Sequence, residues 1–338
     1  MSGKEAGNRG DLAVVVGMGH LGMNLVKTLA DEGRCVRVVD YEKAPTKPDY
    51  LSELKIEKVF YGDVSNRESL LKAFEGADVV YNASAIISLR GGWEKLHKVN
   101  IDGVKNVISA AYEKGVSKVI SFSSIHAIEQ RPIDQLLDEN RPLIQTGKNH
   151  SYGESKAEGE RLARKLMVED GLVDGCILAP TGMIGPMDYV PSEFGRVLLK
   201  MARGNLPALV NAGMDWVDVR DVAKAAVEAG KKAKNGEKVI LSGHFVQMRE
   251  TAKIVENMSG ISAPRVNLPL WVAKTAAPLA LGYAIITHQK QPLFTPYSME
   301  ALNGNRMISH QHATDLLGFK PRPHKETVED AVEWLLRH

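Results

Sequence analysis

At 338 residues the chain exceeds the size of one compact domain, so a main domain carrying a smaller cap is expected. A net charge of +2 with 25% charged residues excludes the bulk field that nucleic-acid binding needs. The two cysteines, Cys35 and Cys176, open apolar runs that read as buried strands; they suit neither a disulfide scaffold nor a metal site and fit a reducing compartment.

Met1–Gly10 is polar and lacks the apolar core of a signal peptide, so a cytoplasmic location is expected. Short β-branched runs then alternate with helical patterns, which predicts an α/β fold: a Rossmann-type, doubly wound parallel sheet covered on both faces. The strands are Leu12–Val16, Val36–Asp40, Lys58–Tyr61, Val79–Asn82, Val119–Phe122 and Gly175–Ala179. Helices lie near Leu21–Glu32, Arg67–Phe74, Trp93–Glu113 and Tyr152–Glu169, with Gly33 and Gly115 at helix stops. The polar segment Gln130–Lys148 reads as a surface loop near the active site.

Beyond Pro180 the alternation breaks at Pro186, Pro191 and Pro207. Helices are expected at Phe194–Ala202 and Val219–Ala229, a strand at Val239–Leu241, and mostly helix after Gly243. This divides the chain into a dinucleotide-binding domain over 11–182, to which 217–242 returns, and a cap of 183–216 and 243–338. The cap reads as a smaller, mostly helical C-terminal substrate-binding region. Its most apolar stretch, Leu268–Thr287, holds Lys274, Pro269 and Pro278. A spanning helix needs about 20 predominantly apolar residues and a mid-span lysine costs roughly 2.5–3.5 kcal/mol. The stretch therefore reads as amphipathic helix over an apolar pocket, with peripheral membrane contact through 268–287 the less favoured reading.

Strand–turn–helix order surrounds Gly17-Met-Gly19-His20-Leu21-Gly22. The first glycine permits the tight turn, the second lets backbone approach a pyrophosphate, and the third allows close helix packing. Free N–H groups at the helix start favour the phosphates. Asp40 closes the next strand about twenty residues on, where it accepts from ribose hydroxyls and repels a 2′-phosphate. That favours NAD, while nearby Arg37 and Lys43 leave NADP open. Asp63, in Gly62-Asp63-Val64, is placed either to contact adenine or to cap the helix that follows.

Tyr152 and Lys156, in His150-Ser-Tyr-Gly-Glu-Ser-Lys156, stand one turn apart on a helix face. A phenol loses its proton near pH ~10, and an adjacent ammonium favours the phenolate. Such a tyrosine can exchange a proton with a carbonyl oxygen during hydride transfer.

With Asn82-Ala83-Ser84-Ala85, Val99-Asn100-Ile-Asp-Gly103, Ser121-Phe-Ser-Ser124, Pro180-Thr-Gly182 and Trp216-Val-Asp-Val-Arg-Asp-Val222, these motifs run in one order along nearly the whole chain. The chain resembles the extended short-chain dehydrogenase/reductase family. That family, the NAD-dependent epimerase/dehydratase superfamily, contains sugar-nucleotide epimerases, dihydroflavonol reductases and 3β-hydroxysteroid dehydrogenases. The resemblance implies that Ser124, with Ser123 as the alternative, joins Tyr152 on the substrate oxygen. It implies that Lys156 binds the nicotinamide ribose and lowers the tyrosine's pKa, and that Asn100 either holds a relay water near the lysine or satisfies backbone. It places Gly17, Gly19, His20, Leu21, Gly22, Asp40, Asp63, Val64, Ala83, Ser84, Ala85, Tyr152, Lys156 and Pro180 around the cofactor. It also implies a homodimer through helices Trp93–Glu113 and Tyr152–Glu169.

There are departures from the family pattern. The glycine turn is one residue short, Asn82 stands where histidine is frequent, and Ala179 where many members carry arginine. Ile125-His126 replaces the Asp-Glu pair of the 4,6-dehydratases, and no arginine stands just ahead of Gly213-Met-Asp-Trp216 to grip a diphosphate as in epimerases, with Arg203 or Arg249 left as substitutes. Asp215-Trp-Val-Asp-Val219, Met248-Arg-Glu250 and Leu268-Pro-Leu-Trp271 resemble the dihydroflavonol-reductase-like and 3β-hydroxysteroid-dehydrogenase-like branch. That branch interconverts a ketone or aldehyde and an alcohol on a relatively apolar skeleton. Trp271, Leu279, Tyr283 and Ile286 would line its pocket or simply pack the cap, and His126 would sit at the pocket rim. Sugar-nucleotide epimerisation and non-catalytic NAD sensing are the alternatives.

Overall fold

The computed structural model describes residues 12–41, 54, 56–87, 92–286 and 295–338. The first half alternates β1 (Leu12–Val16), α1 (His20–Asp31), β2 (Cys35–Asp40), β3 (Ile56–Tyr61), α2 (Glu68–Phe74), β4 (Val79–Asn82), α3 (Trp93–His97), α4 (Gly103–Glu113), β5 (Lys118–Phe122), α5 (Tyr152–Arg164) and β6 (Asp174–Pro180). Then follow β7 (Gly182–Ile184), α6 (Glu193–Ala202), β8 (Leu209–Asn211), β9 (Gly213–Asp218), α7 (Val219–Lys232), β10 (Glu237–Leu241), β11 (His244–Gln247) and α8 (Met248–Ser259). The chain closes with β12 (Asn267–Pro269), α9 (Leu270–Ile286), α10 (Pro296–Ala301), α11 (Gln311–Leu317) and α12 (His324–Arg337).

Seven parallel strands form the main sheet in the order β10-β6-β5-β4-β1-β2-β3. Both faces are buried, as parallel sheets require. Period-2 alternation sends Ala13 and Val15 into one core with α1 and α7, and Val14 and Val16 into the other with α2 and α4. Every strand and helix expected before Pro180 is present, as are α6, α7 and β10. Cys176 is buried as its run implies, but Cys35, the first residue of β2, is exposed at the strand's start.

The cap region contains strands the sequence reading missed: β11-β9-β7 form a three-stranded sheet and β12 pairs with β8. These strands are three to six residues long and begin or end at Gly182, Gly213 and Pro269, so they lack a readable period. Their apolar side, with Trp216 and Val246, packs against Leu198, Val255, Val328 and Leu335. No helix among the described residues is long and apolar enough to cross a membrane.

The C-terminal segment is tied to α7 by ions rather than by apolar area alone. Arg322 donates through its backbone N–H and guanidinium to Asp221, at 2.8 and 2.7 Å, and Arg220 bridges Asp218 and Asp330, each at 2.7 Å. Removing one member leaves a largely buried carboxylate without its counter-ion. Arg322→Ala should therefore lower unfolding free energy by about 2 kcal/mol in urea titration, an amount discounted for the partial exposure of the pair.

Candidate active site

Strand order reverses between β1 and β4, and in open α/β sheets ligands bind beyond the carboxyl ends of strands at such a point. Three loops converge there. The glycine turn after β1 lies against the loop after β4: a Cβ on Gly17, whose φ is +92°, would meet the backbone of Ser84 at 2.8 Å. On Gly22 a Cβ would stand 1.9 Å from the Gly17 carbonyl oxygen, so the helix starts flush on the turn. Gly19 differs, since a Cβ there meets nothing within 4 Å. This open space sits over the start of α1, whose first turn has no side-chain cap and no acidic residue. An anionic diphosphate fits that cradle.

The residues expected at the cofactor take the following places. Asp40 ends β2 and accepts from the Met18 N–H at 3.3 Å, which fixes its carboxylate beside the turn. Arg37 is committed elsewhere, with its guanidinium on Glu57 and on the Ala73 and Glu75 carbonyls. Lys43 lies outside the described residues. Asp63 accepts from the Ser65 N–H at 2.8 Å, so it caps the turn before α2, while Val64 packs on Gly103. Ala83, Ser84 and Ala85 follow β4, and the Ser84 hydroxyl donates to Asn82 at 2.5 Å. The His20 ring contacts the Gly185 and Pro186 carbonyls, so its side chain faces the 182–190 segment, while Leu21 is buried in the core. Pro180 ends β6 beside Leu241.

Past β5, Ser124 caps a short 3-10 turn, Ile125–Ala127, its Oγ accepting from His126 N–H at 3.2 Å. Tyr152 opens α5, capped by Ser151, and the Glu154 carboxylate gathers the N–H groups of Gly147, Asn149 and His150. Gly153 lets the two elements meet, because a Cβ there would lie 2.5 Å from the His126 carbonyl oxygen. The result is a hydrogen bond between the hydroxyls of Ser124 and Tyr152. His126 stacks edge-on to Tyr152 with centroids 6.5 Å apart, and burial holds it neutral, its pKa down at about 4.

Lys156 is buried one turn along α5, and its Nζ donates to the Phe122 carbonyl at 2.5 Å. Burial lowers its pKa to about 8, with the charge of Glu160 opposing the fall. The expectation that this lysine depresses the tyrosine is not met. Burial raises Tyr152 to about 12, against the opposing Ser124 hydrogen bond and aided by the Glu193 charge, while the Lys156 ammonium sits on the Phe122 carbonyl. The phenol therefore carries its proton at neutral pH and is a donor.

Asn100 lies on a π-helical turn, Lys98–Asp102, where Gly159 brings α5 against its carbonyl. Its amide binds both backbone groups of Ile86, each at 3.0 Å, and the Ser155 hydroxyl at 2.9 Å. Of the two roles expected for this side chain, the backbone-satisfying one is what the contacts describe. Beside it lies a cavity of about 10 Å³ bounded by Ser121, Ser123, Lys156, Gly159 and Glu160, close to the minimum for one water.

Sequence reading missed Glu193, which opens α6 behind Ser192 and looks like an ordinary helix-start acid. In the fold its charge reaches Tyr152, and burial raises its pKa to about 7. It misplaced Trp271 and Leu279. Ala273 and Ala277 take the buried face of α9, leaving Trp271 71% and Leu279 78% exposed, so neither lines a pocket among the described residues. The side chains of Tyr283 and Ile286 lie outside the described residues. A larger cleft of about 550 Å³, between Phe245, Leu270 and Leu302, includes none of the Ser-Tyr-Lys residues.

Comparisons with known proteins identify the family. Residues 13–250 match the 3-beta hydroxysteroid dehydrogenase/isomerase family. "Sterol demethylase protein B" of Methylococcus capsulatus is 28% identical over 94% of this chain and 95% of its own. A crystal structure of gox2253 superposes with a TM-score of 0.81 at 28% identity, covering 97% of this chain and 98% of that one. The Thermus thermophilus UDP-glucose 4-epimerase, solved with NAD, shares the fold at a TM-score of 0.73 and 19% identity over 96% and 99% of the two chains. With more than half its length matched and the Ser-Tyr-Lys constellation assembled, the chain belongs to the 3-beta hydroxysteroid dehydrogenase/isomerase family and is an oxidoreductase of the extended short-chain dehydrogenase/reductase type.

Proposed function

We propose that the protein interconverts a ketone and a secondary alcohol on a relatively apolar skeleton of the sterol class, using NAD. The observation that carries this reading is the hydrogen-bonded Ser124–Tyr152 pair, with Lys156 buried behind it, at the strand ends that also present the glycine turn. The nicotinamide supplies or accepts the hydride when bound. The chain's own residues do the rest. The hydroxyls of Ser124 and Tyr152 hold the carbonyl oxygen, and Tyr152 donates its proton there as negative charge develops. Lys156, its ammonium held on the Phe122 carbonyl behind the pair, would bind the nicotinamide ribose and supply the proton that restores the phenol. The Gly17–Gly22 turn, with Gly19 open, would hold the diphosphate, and Asp40 the adenosine ribose.

NAD is favoured over NADP because Asp40 repels a 2′-phosphate and Arg37 is already paired to Glu57. Asp40→Ser should weaken NADH binding about tenfold and narrow the preference over NADPH, read by nicotinamide fluorescence titration. Function is tested by NADH- and NADPH-linked turnover over a panel of 3-ketosteroids, flavanones and nucleotide sugars. Net NADH oxidation with a ketosteroid supports the reading. Conversion of a nucleotide sugar without net oxidation of the nicotinamide would replace it by the epimerase. The same reading carries a homodimer built on the helical spans 93–113 and 152–169, which light scattering would detect at twice the chain mass.

A further inference from the structure

Glu160 touches none of the reacting atoms, yet it is a carboxylate with 5% of its side chain exposed. It lies one turn beyond Lys156 on α5, and both border the same water-sized cavity. Its two oxygens are used separately. Oε2 accepts from the Ser123 hydroxyl at 2.5 Å, and Oε1 pairs with Lys238 Nζ, on β10, at 2.7 Å. Lys238 reaches across β6 to do this, and its side chain is 11% exposed, so the chain of charges runs from the buried lysine toward solvent.

We propose that Glu160 is a positioning residue that sets the charge of Lys156, and that Ser123, Glu160, Lys238 and the small cavity form the route by which that lysine regains a proton. The inference rests on the Ser-Tyr-Lys reading above. In ketone reduction one proton leaves Tyr152 for the carbonyl oxygen, and one proton from bulk water must return to the Tyr152–Lys156 pair. The cavity holds the water that hands it to Lys156, and the fixed carboxylate stabilises the ammonium that results. Around Lys156 stand Asn100 from the π turn, the Phe122 carbonyl and Ser121 from β5, and neutral His126 beyond Tyr152. Among these described neighbours Glu160 is the anion facing Lys156, and Lys238 is the cation that partly cancels it.

Two variants should move Lys156 in opposite directions. Glu160→Gln removes the anion, so the alkaline limb of kcat/KM for ketone reduction should fall by about one pH unit, a tenfold change in proton affinity. Lys238→Met frees Glu160 to act on Lys156 alone, so the limb should rise. A purely structural role would lower rates without separating the limbs. The pH midpoint of NADH affinity, read by fluorescence without any ketone, should shift with the same two signs. Absence of wild-type turnover would remove the functional reading but leave the binding midpoints to decide this one. Midpoints unmoved in both variants, or moved the same way, would overturn the proposal.

Discussion

Replacing Tyr152 with phenylalanine is expected to reduce kcat for ketone reduction about a thousandfold while leaving the NADH dissociation constant within about twofold. The reasoning is local. The hydroxyl is the proton donor, buried and bonded to Ser124, whereas the ring that remains preserves the packing against His126. Because the phenol's pKa lies near 12 and that of Lys156 near 8, the wild-type limb above pH 8 reports loss of the lysine proton, with activity falling as pH rises. The phenylalanine variant should show only a residual rate without that limb. Steady-state kinetics across pH 6–10 would check both points, and a variant retaining most of its kcat would remove the tyrosine from the chemistry.

The largest effect on the fold is expected at Gly22. An alanine Cβ would stand 1.9 Å from the Gly17 carbonyl oxygen, a backbone atom that cannot swing aside like a side chain. Either α1 slides off β1 or the turn opens, and both disturb a fully buried core containing Leu25 and Val26. Gly22→Ala should cost about 3 kcal/mol or more in urea unfolding, at the upper end of overpacking substitutions. It should also abolish measurable NADH binding, since the cradle and the helix start move together. Gly19→Ala makes the contrast. Open space surrounds that position, so stability should hold within about 0.5 kcal/mol while NADH affinity drops.

What the sequence made legible follows from range. The glycine turn, Asp40 and the Tyr152–Lys156 spacing are local patterns, and the strands before Pro180 are mostly the short, near-continuous apolar runs that burial on both faces of a parallel sheet enforces. Gly153 and Gly159 were not legible, because their purpose is a neighbour distant in sequence: the His126 carbonyl for one, the Asn100 carbonyl for the other. The same holds for Glu160, whose partners Ser123 and Lys238 come from β5's end and from β10. The direction of the Tyr152 shift was misread for a related reason. Spacing brings a lysine near, but the Phe122 carbonyl decides where its ammonium points. In the cap, apolar content suggested a pocket lining, whereas Ala273 and Ala277 decide which face of α9 is buried. A coil-like stretch after Pro180 hid strands too short to show a period.

The central claim is that one bound coenzyme brings its reactive ring to the Ser124–Tyr152 pair. A crystal structure of the protein with NAD tests this most directly. The nicotinamide C4 should lie so that a carbonyl held by Ser124 and Tyr152 places its carbon about 3–3.5 Å from it, with the diphosphate over Gly19 and the ribose on Asp40. A nicotinamide ring bound away from Tyr152, or a diphosphate seated outside the Gly17–Gly22 turn, would contradict it.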